Sequence, residues 1–236
     1  MVLCGVIQLS LGEKLNCNFQ YIPFFQLMGP LYSCDATIFD TSNYYLFVTA
    51  YTGNHYAVKN NNDVRAIQIL SQKTKNIPVN LGTISSLLAL RIQNSQLIEI
   101  KSQDFHNMRD LEHLSLMYNN LTSLPSDAFN TLPKLREIYL TGNQIEELPF
   151  GLFSNNVNLE IVDFMSNKIK FIATGLFDGL VKLNKVFAKE NICEMDSFVR
   201  IQQTGLQKLK YDIKTNCNAS NDLKRSEILK LLDEIK

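Results

Sequence analysis

Residues 111–132 read Leu111-x-x-Leu114-x-Leu116-x-x-Asn119-x-Leu121-x-x-Leu124-x4-Phe129-x-x-Leu132, and the pattern returns every 24 residues on either side. One period on stand Leu135, Ile138, Leu140, Asn143, Ile145, Leu148 and Phe153. Another gives Leu159, Val162, Phe164, Asn167, Ile169, Ile172, Phe177 and Leu180. One period back are Leu87, Leu90, Ile92, Leu97, Ile100, Phe105 and Met108. A lone helix or strand shows a few such spacings by chance. Consecutive copies with Phe105, Phe129, Phe153 and Phe177 in register do not arise that way, so this self-similarity decides the fold.

The residue types follow from burial. In each copy the L-x-L core is a short strand with its two apolar residues inward and the x positions outward. One copy cannot cover its own apolar side, so neighbours stack and share a continuous core, an α/β repeat solenoid. An asparagine at the turn satisfies backbone groups that would otherwise be buried unpaired at roughly 1–3 kcal/mol each. Asn119, Asn143, Asn167 and Asn191 therefore form an expected ladder, with Ser95 a weaker substitute one copy earlier.

Working outward, the 236 residues are long enough for a sizeable core, and 23 basic residues balance 23 acidic ones. No strong field points to nucleic acid or an anionic membrane, and no apolar run approaches the ~20 residues of a membrane span. Val2–Leu11 has the length of a signal-peptide core, with Ser10 and Gly12 as small residues before a cut at Glu13, although the positively charged start is missing. An ordered N-terminal strand is the alternative for residues 1–12. Removing Cys4 with such a segment leaves Cys17 and Cys34 before the repeats and Cys193 and Cys217 at their end. Disulfide-tied flanks suit the caps that a solenoid needs, and they imply an oxidising compartment. Of the connectivities open to these cysteines, Cys17–Cys34 with Cys193–Cys217 is expected. A zinc site lacks its C-x2-C spacing, and no metal or other cofactor is expected.

Residues 13–63 form the first flank. Tyr44–Tyr51 is aromatic and β-branched, followed by the turn-like Thr52-Gly53-Asn54-His55, which predicts one or two antiparallel hairpins. Val64, Ile67, Ile69, Ile77, Leu81 and Ile84 open the array over 64–192. In the second flank, 193–217, Asp196 is placed to cap a short helix carrying Phe198 and Ile201 and ended by Gly205. Leu206, Leu209 and Tyr211 are then expected to repeat the strand pattern. Over 218–236, Leu223, Ile228, Leu231, Leu232 and Ile235 fall at helical spacing. Residues 222–236 either pack on the cap or start a coiled coil that pairs with a like or unlike chain.

The stretch Leu87–Asn191 resembles the typical 24-residue leucine-rich repeats of animal extracellular proteins, phenylalanine spine included. The resemblance implies a curved array with a parallel sheet on its concave side, to which the flanks as read above add a β-rich N-terminal cap and a short helical C-terminal cap. It also implies a secreted or cell-surface binding module. More loosely, the chain is similar to the leucine-rich immune proteins of insects, which pair through a coiled coil and hold complement-like partners. It departs from the repeat class in having one cysteine pair per flank where two are usual, and its terminal helix is short.

No G-x-S-x-G, H-E-x-x-H, phosphate loop or EF-hand pattern occurs, and His55, His106 and His113 lack a nucleophile at motif spacing, so no enzyme is expected. What remains is surface. With the copies aligned, the residues flanking the inward pair fall in columns. Ala89, His113, Glu137, Ile161 and Lys185 form the first, and Arg91, Ser115, Tyr139, Asp163 and Phe187 the second. Gln93, Met117, Thr141, Met165 and Lys189 form the third, and Asn94, Tyr118, Gly142, Ser166 and Glu190 the fourth. Met117, Tyr118, Tyr139, Ile161, Met165 and Phe187 predict an apolar concave patch rimmed by Arg91, Glu137, Asp163 and Lys185, with His113 a further contact residue, the mark of a protein-binding site. The alternatives are a structural protein assembling through residues 222–236, or a soluble fragment of a receptor. Asn120-Leu121-Thr122 and Asn218-Ala219-Ser220 are glycosylation acceptors if the chain is secreted.

Overall fold

The computed structural model describes residues 13–23, 30–37, 48–55, 59–81, 87–193 and 203–217. Each copy contributes one short strand: β4 (Ala66–Leu70), β5 (Ala89–Gln93), β6 (His113–Ser115), β7 (Glu137–Tyr139), β9 (Ile161–Asp163) and β11 (Lys185–Phe187). These pair in parallel with equivalent residues side by side, so that Leu90, Leu114 and Ile138 are neighbours, as are Ile138, Val162 and Val186. Two small strands, β8 (Glu147–Leu148) and β10 (Phe171–Ile172), pair in parallel on the returning side. The inward residues Leu90, Leu114, Ile138, Val162 and Val186 are fully buried in one continuous core. The spine phenylalanines Phe105, Phe129, Phe153 and Phe177 follow one another at 6.0, 6.1 and 6.3 Å between ring centres.

The turn after each strand is set by two adjacent residues. Ser71, Asn94, Tyr118, Gly142, Ser166 and Glu190 all take left-handed backbone angles, φ between 51° and 72°. Such angles are uncommon outside glycine, and their recurrence shows every coil turning in the same way. One residue later, Asn119 Nδ2 donates to the carbonyls of Ile92 (2.8 Å) and Leu116 (3.0 Å), while its Oδ1 accepts the N–H of Ser95 (3.0 Å) and of Leu97 (3.2 Å). Asn143 reaches Leu116 and Leu140, Asn167 reaches Leu140 and Phe164, and Asn191 reaches Phe164 and Ala188. Each amide thus ties its own coil to the one before. Ser95 offers only a hydroxyl there, donating to Gln93 O at 2.8 Å.

The N-terminal flank continues the sheet. β1 (Glu13–Pro23) and β2 (Pro30–Thr37) are antiparallel, and β2 lies parallel to β4, so the array's first edge is covered by strand pairing. β3 (Val48–Thr52) runs parallel to β1, not as the arm of a second antiparallel hairpin. β2 intervenes between them in sequence and takes one side of β1, leaving β3 to add at the other. Cys17 and Cys34 are disulfide-bonded and buried between β1 and β2. Gly53 closes this flank: its φ is +142°, and a Cβ there would fall 2.2 Å from the Cys17 carbonyl oxygen.

The C-terminal flank departs from the expected strand over Leu206–Tyr211. Residues Gln203–Asn216 form a helix, α1, with Gly205 inside its first turn. Leu206, Leu209 and Ile213 recur at intervals of three and four, which suits one helical face; Leu209 and Ile213 are buried, and Tyr211 stands out in solvent. Cys193 is disulfide-bonded to Cys217, whose carbonyl accepts the Ile172 N–H at 2.8 Å, and Lys210 pairs with Asp178, so the helix is fastened to the array at several points. The segments read as signal peptide (1–12), second-flank short helix (Asp196, Phe198, Ile201), second acceptor (Asn218) and amphipathic tail (222–236) lie outside the described residues.

Candidate binding face

The concave columns are realised as spaced in sequence. Ala89, His113, Glu137, Ile161 and Lys185 are successive strand neighbours, and so are Arg91, Ser115, Tyr139, Asp163 and Phe187. Their exposure differs from the expectation. His113, Glu137, Tyr139, Ile161 and Asp163 are all buried, Tyr139 at only 7% exposure. Adjacent parallel strands lie ~4.8 Å apart, and large same-face side chains at that spacing cover one another. Tyr139 is therefore not an outstanding surface residue, and the patch is narrower than the columns suggest.

These buried side chains form a hydrogen-bonded floor. Glu137 Oε2 lies 3.1 Å from His113 Nδ1 and accepts the Tyr139 hydroxyl at 2.9 Å. The His113 and Tyr139 rings are 5.3 Å apart. Burial, and then the neighbouring Glu137 carboxylate, push the Tyr139 hydroxyl well above its ordinary pKa, so it stays a donor. Beside this cluster, Asp163 Oδ1 accepts the Thr141 hydroxyl at 2.5 Å and the Met165 N–H at 3.0 Å. Burial nevertheless raises the Asp163 pKa, outweighing those two bonds. Gln93 Nε2 donates to Ser115 Oγ at 2.6 Å, and Arg91 Nη1 to Gln68 Oε1 at 3.4 Å.

Above the floor, Arg91, Met117, Met165, Lys185 and Phe187 are half-buried and Tyr118 is 52% exposed. The face thus has a fixed polar base and a strip of Met, Tyr and Phe along it, with cations at each end. Fixed side chains lose little freedom when a partner docks, which favours binding. Among the described residues, no group of three or more His, Cys, Asp or Glu side chains is placed to hold a metal ion.

Two features escaped the sequence reading. Asn156 occupies the spine-plus-three position held by Met108, Leu132 and Leu180 in the other copies, and its amide donates to Phe129 O (2.9 Å) and Leu132 O (2.8 Å) deep in the core. A polar residue at an apolar position of the repeat was its signal. Arg136 donates to Glu160 at 2.8 Å and to Glu112 at 3.2 Å. Those residues are one period apart on either side, a complementary column visible in the aligned copies.

Residues 85–145 and 133–191 match the family model described as leucine rich repeat. No curated protein sequence matches the chain. Among solved structures, the array is similar to a chain in the Toll–Spatzle complex, described as a molecular hub in Drosophila development and innate immunity. That match has 25% identity and a TM-score of 0.51, covering 53% of this chain. The glycosylated form of that complex gives 24% identity, a TM-score of 0.51 and 54% coverage, supporting likeness of fold. The match spans only 17% of the length of either of those chains. No helix among the described residues is long and apolar enough to cross a membrane. With its period, its asparagine ladder and its parallel sheet in agreement with that match, residues 85–191 are a leucine-rich repeat array, similar in fold to the insect chain of that complex.

Proposed function

We propose that this is a secreted, non-enzymatic protein-binding solenoid that takes a protein partner on its concave face. The observation that carries the reading is the half-exposed strip of Met117, Tyr118, Met165 and Phe187 over a hydrogen-bonded floor. Large apolar and aromatic side chains on a rigid base supply contact area at low entropic cost. Arg91 and Lys185 give the rim its charge. His113, Glu137, Tyr139, Ile161 and Asp163 serve by holding the floor. Two buried disulfides support an oxidising compartment. The likeness to a chain of an insect complex tied to innate immunity supports a setting in immunity or extracellular signalling.

The test is retention of proteins from extracellular fluid on the immobilised, disulfide-intact chain. Phe187→Ala with Met165→Ala should weaken capture by roughly 30-fold, about 2 kcal/mol at a central contact. Val181→Ala, at a position 90% exposed and outside the strands, should leave it unchanged. Capture unaffected by the double substitution but lost on removing residues 222–236 would replace this reading with assembly through the tail.

A further inference from the structure

Asn119 and Asn120 are adjacent, yet their amides have opposite fates. Asn119 is enclosed by the carbonyls and N–H groups of the ladder. Asn120 is exposed; only its backbone N–H is held, by Leu97 O at 2.7 Å, and its side chain makes no hydrogen bond. Leu121 then turns inward, fully buried, with its N–H on Asn143 Oδ1 at 3.2 Å. Thr122 comes out again to solvent. The triplet Asn120-Leu121-Thr122 is thus pinned at its middle residue and presents both functional side chains outward. It is the only Asn-x-Ser/Thr triplet among the described residues. One coil on, Gln144 and Glu146 pair with Lys168 and Lys170, so this edge is hydrophilic and has no packing to lose.

We infer that Asn120 carries an N-linked oligosaccharide that stands at the strand-end edge of the concave face and shields Tyr118. This rests on the secreted reading above. In the transfer, Asn120 Nδ2 bonds to the anomeric carbon of the first sugar of a lipid-diphosphate-linked donor. The carbon–oxygen bond to the diphosphate breaks, the diphosphate leaves with the electron pair, and one Nδ2 proton passes to a base of the transferase. Tyr118 lies two residues before the attachment point and is 52% exposed, so the sugar stands over that end of the strip. Met165, Lys185 and Phe187 remain as the open half through which a partner enters.

The full chain, produced through the secretory pathway of animal cells, gives the test. Enzymatic release of N-glycans in 18O-labelled water marks each occupied asparagine as labelled aspartate. The label should appear at Asn120, persist in Thr122→Ser and vanish in Thr122→Ala. Nitration of the intact protein should be several-fold slower at Tyr118 than after glycan removal, with exposed Tyr211 unchanged as reference. Secreted protein with both disulfides closed and Asn120 unmodified would overturn this inference while leaving the secreted reading in place. A chain retained inside the cell with free thiols at Cys17, Cys34, Cys193 and Cys217 overturns both. Equal Tyr118 reactivity with and without the glycan overturns the shielding.

Discussion

The inward and concave faces of the same strands differ in almost every chemical respect and yet converge in burial. Leu140 points into the core and is fully buried; Tyr139, its neighbour, points the other way and is 7% exposed. The inward side is closed by the returning half of each coil and the phenylalanine spine. The concave side is closed by itself, because His113 on β6 meets Glu137 across the strands and Tyr139 donates to the same carboxylate along β7. The pleat dictates which side a residue takes. Whether that side meets water depends on the size of its neighbours. The concave side opens to apolar side chains where the copies place Met117, Tyr118, Met165 and Phe187 toward the edges of the columns.

The largest expected effects separate two kinds of burial. Leu140→Ala should cost about 2–5 kcal/mol by leaving a cavity in a closed core. Tyr139→Ala should cost less, about 2 kcal/mol, because the space it leaves opens toward solvent and admits water to Glu137 and His113. Urea unfolding checks both, read as midpoint shifts at constant slope. A Tyr139→Ala change within about 0.5 kcal/mol would return it to the class of ordinary surface sites and dismiss the floor.

Most of the fold was legible because a repeat turns tertiary contacts into sequence columns. The inward leucines, Asn119 and its equivalents, and the register of the array strands from β5 on follow from one period. The flanks obey no such rule. Leu206, Leu209 and Tyr211 fit the next strand by position, but Leu206, Leu209 and Ile213 fit a helix by face, and the helix won because it buries Leu209 and Ile213 together. β3 paired in parallel with β1 because the order of strands at an open edge is set by what the edge meets, which local composition does not encode. For the concave site, the columns were readable and the exposure was not. Self-coverage by His113, Glu137 and Tyr139 depends on rotamers and hydrogen bonds across coils.

A second prediction sharpens the same contrast through pH. Burial raises the folded pKa of Asp163 above its unfolded value of about 3.9. The folded chain then holds the proton more tightly than the unfolded one. The stability this supplies is complete below about pH 3.9 and is lost as pH rises through the folded value. At neutral pH the ionised carboxylate is a burden on the floor. Asp163→Asn keeps an oxygen to accept from Thr141 and Met165, so the variant should be more stable than the parent at neutral pH. Its advantage should narrow as pH falls toward the unfolded pKa. Urea midpoints across that range decide it; a variant less stable at neutral pH would mean that the two hydrogen bonds outweigh burial.

The smallest effect is expected where the concave side does open. The Tyr118 ring lies over Gly142 in the next coil, so that a Cβ added to Gly142 would fall 2.4 Å from the ring. Tyr118 is more than half exposed, and Tyr118→Ala should change stability by less than about 0.5 kcal/mol. Gly142→Ala should cost more, about 1–2 kcal/mol, because φ of +72° is unfavourable for any L side chain before the ring is considered. Combining the two separates backbone from contact. The ring is an exposed side chain free to swing aside, so it should contribute only a minor part, and the double variant should be more stable than the sum of the singles by about 0.5 kcal/mol. A much larger rescue would place the Tyr118 ring among the fixed groups of the floor, and the concave face would then be built like Tyr139 along its whole length.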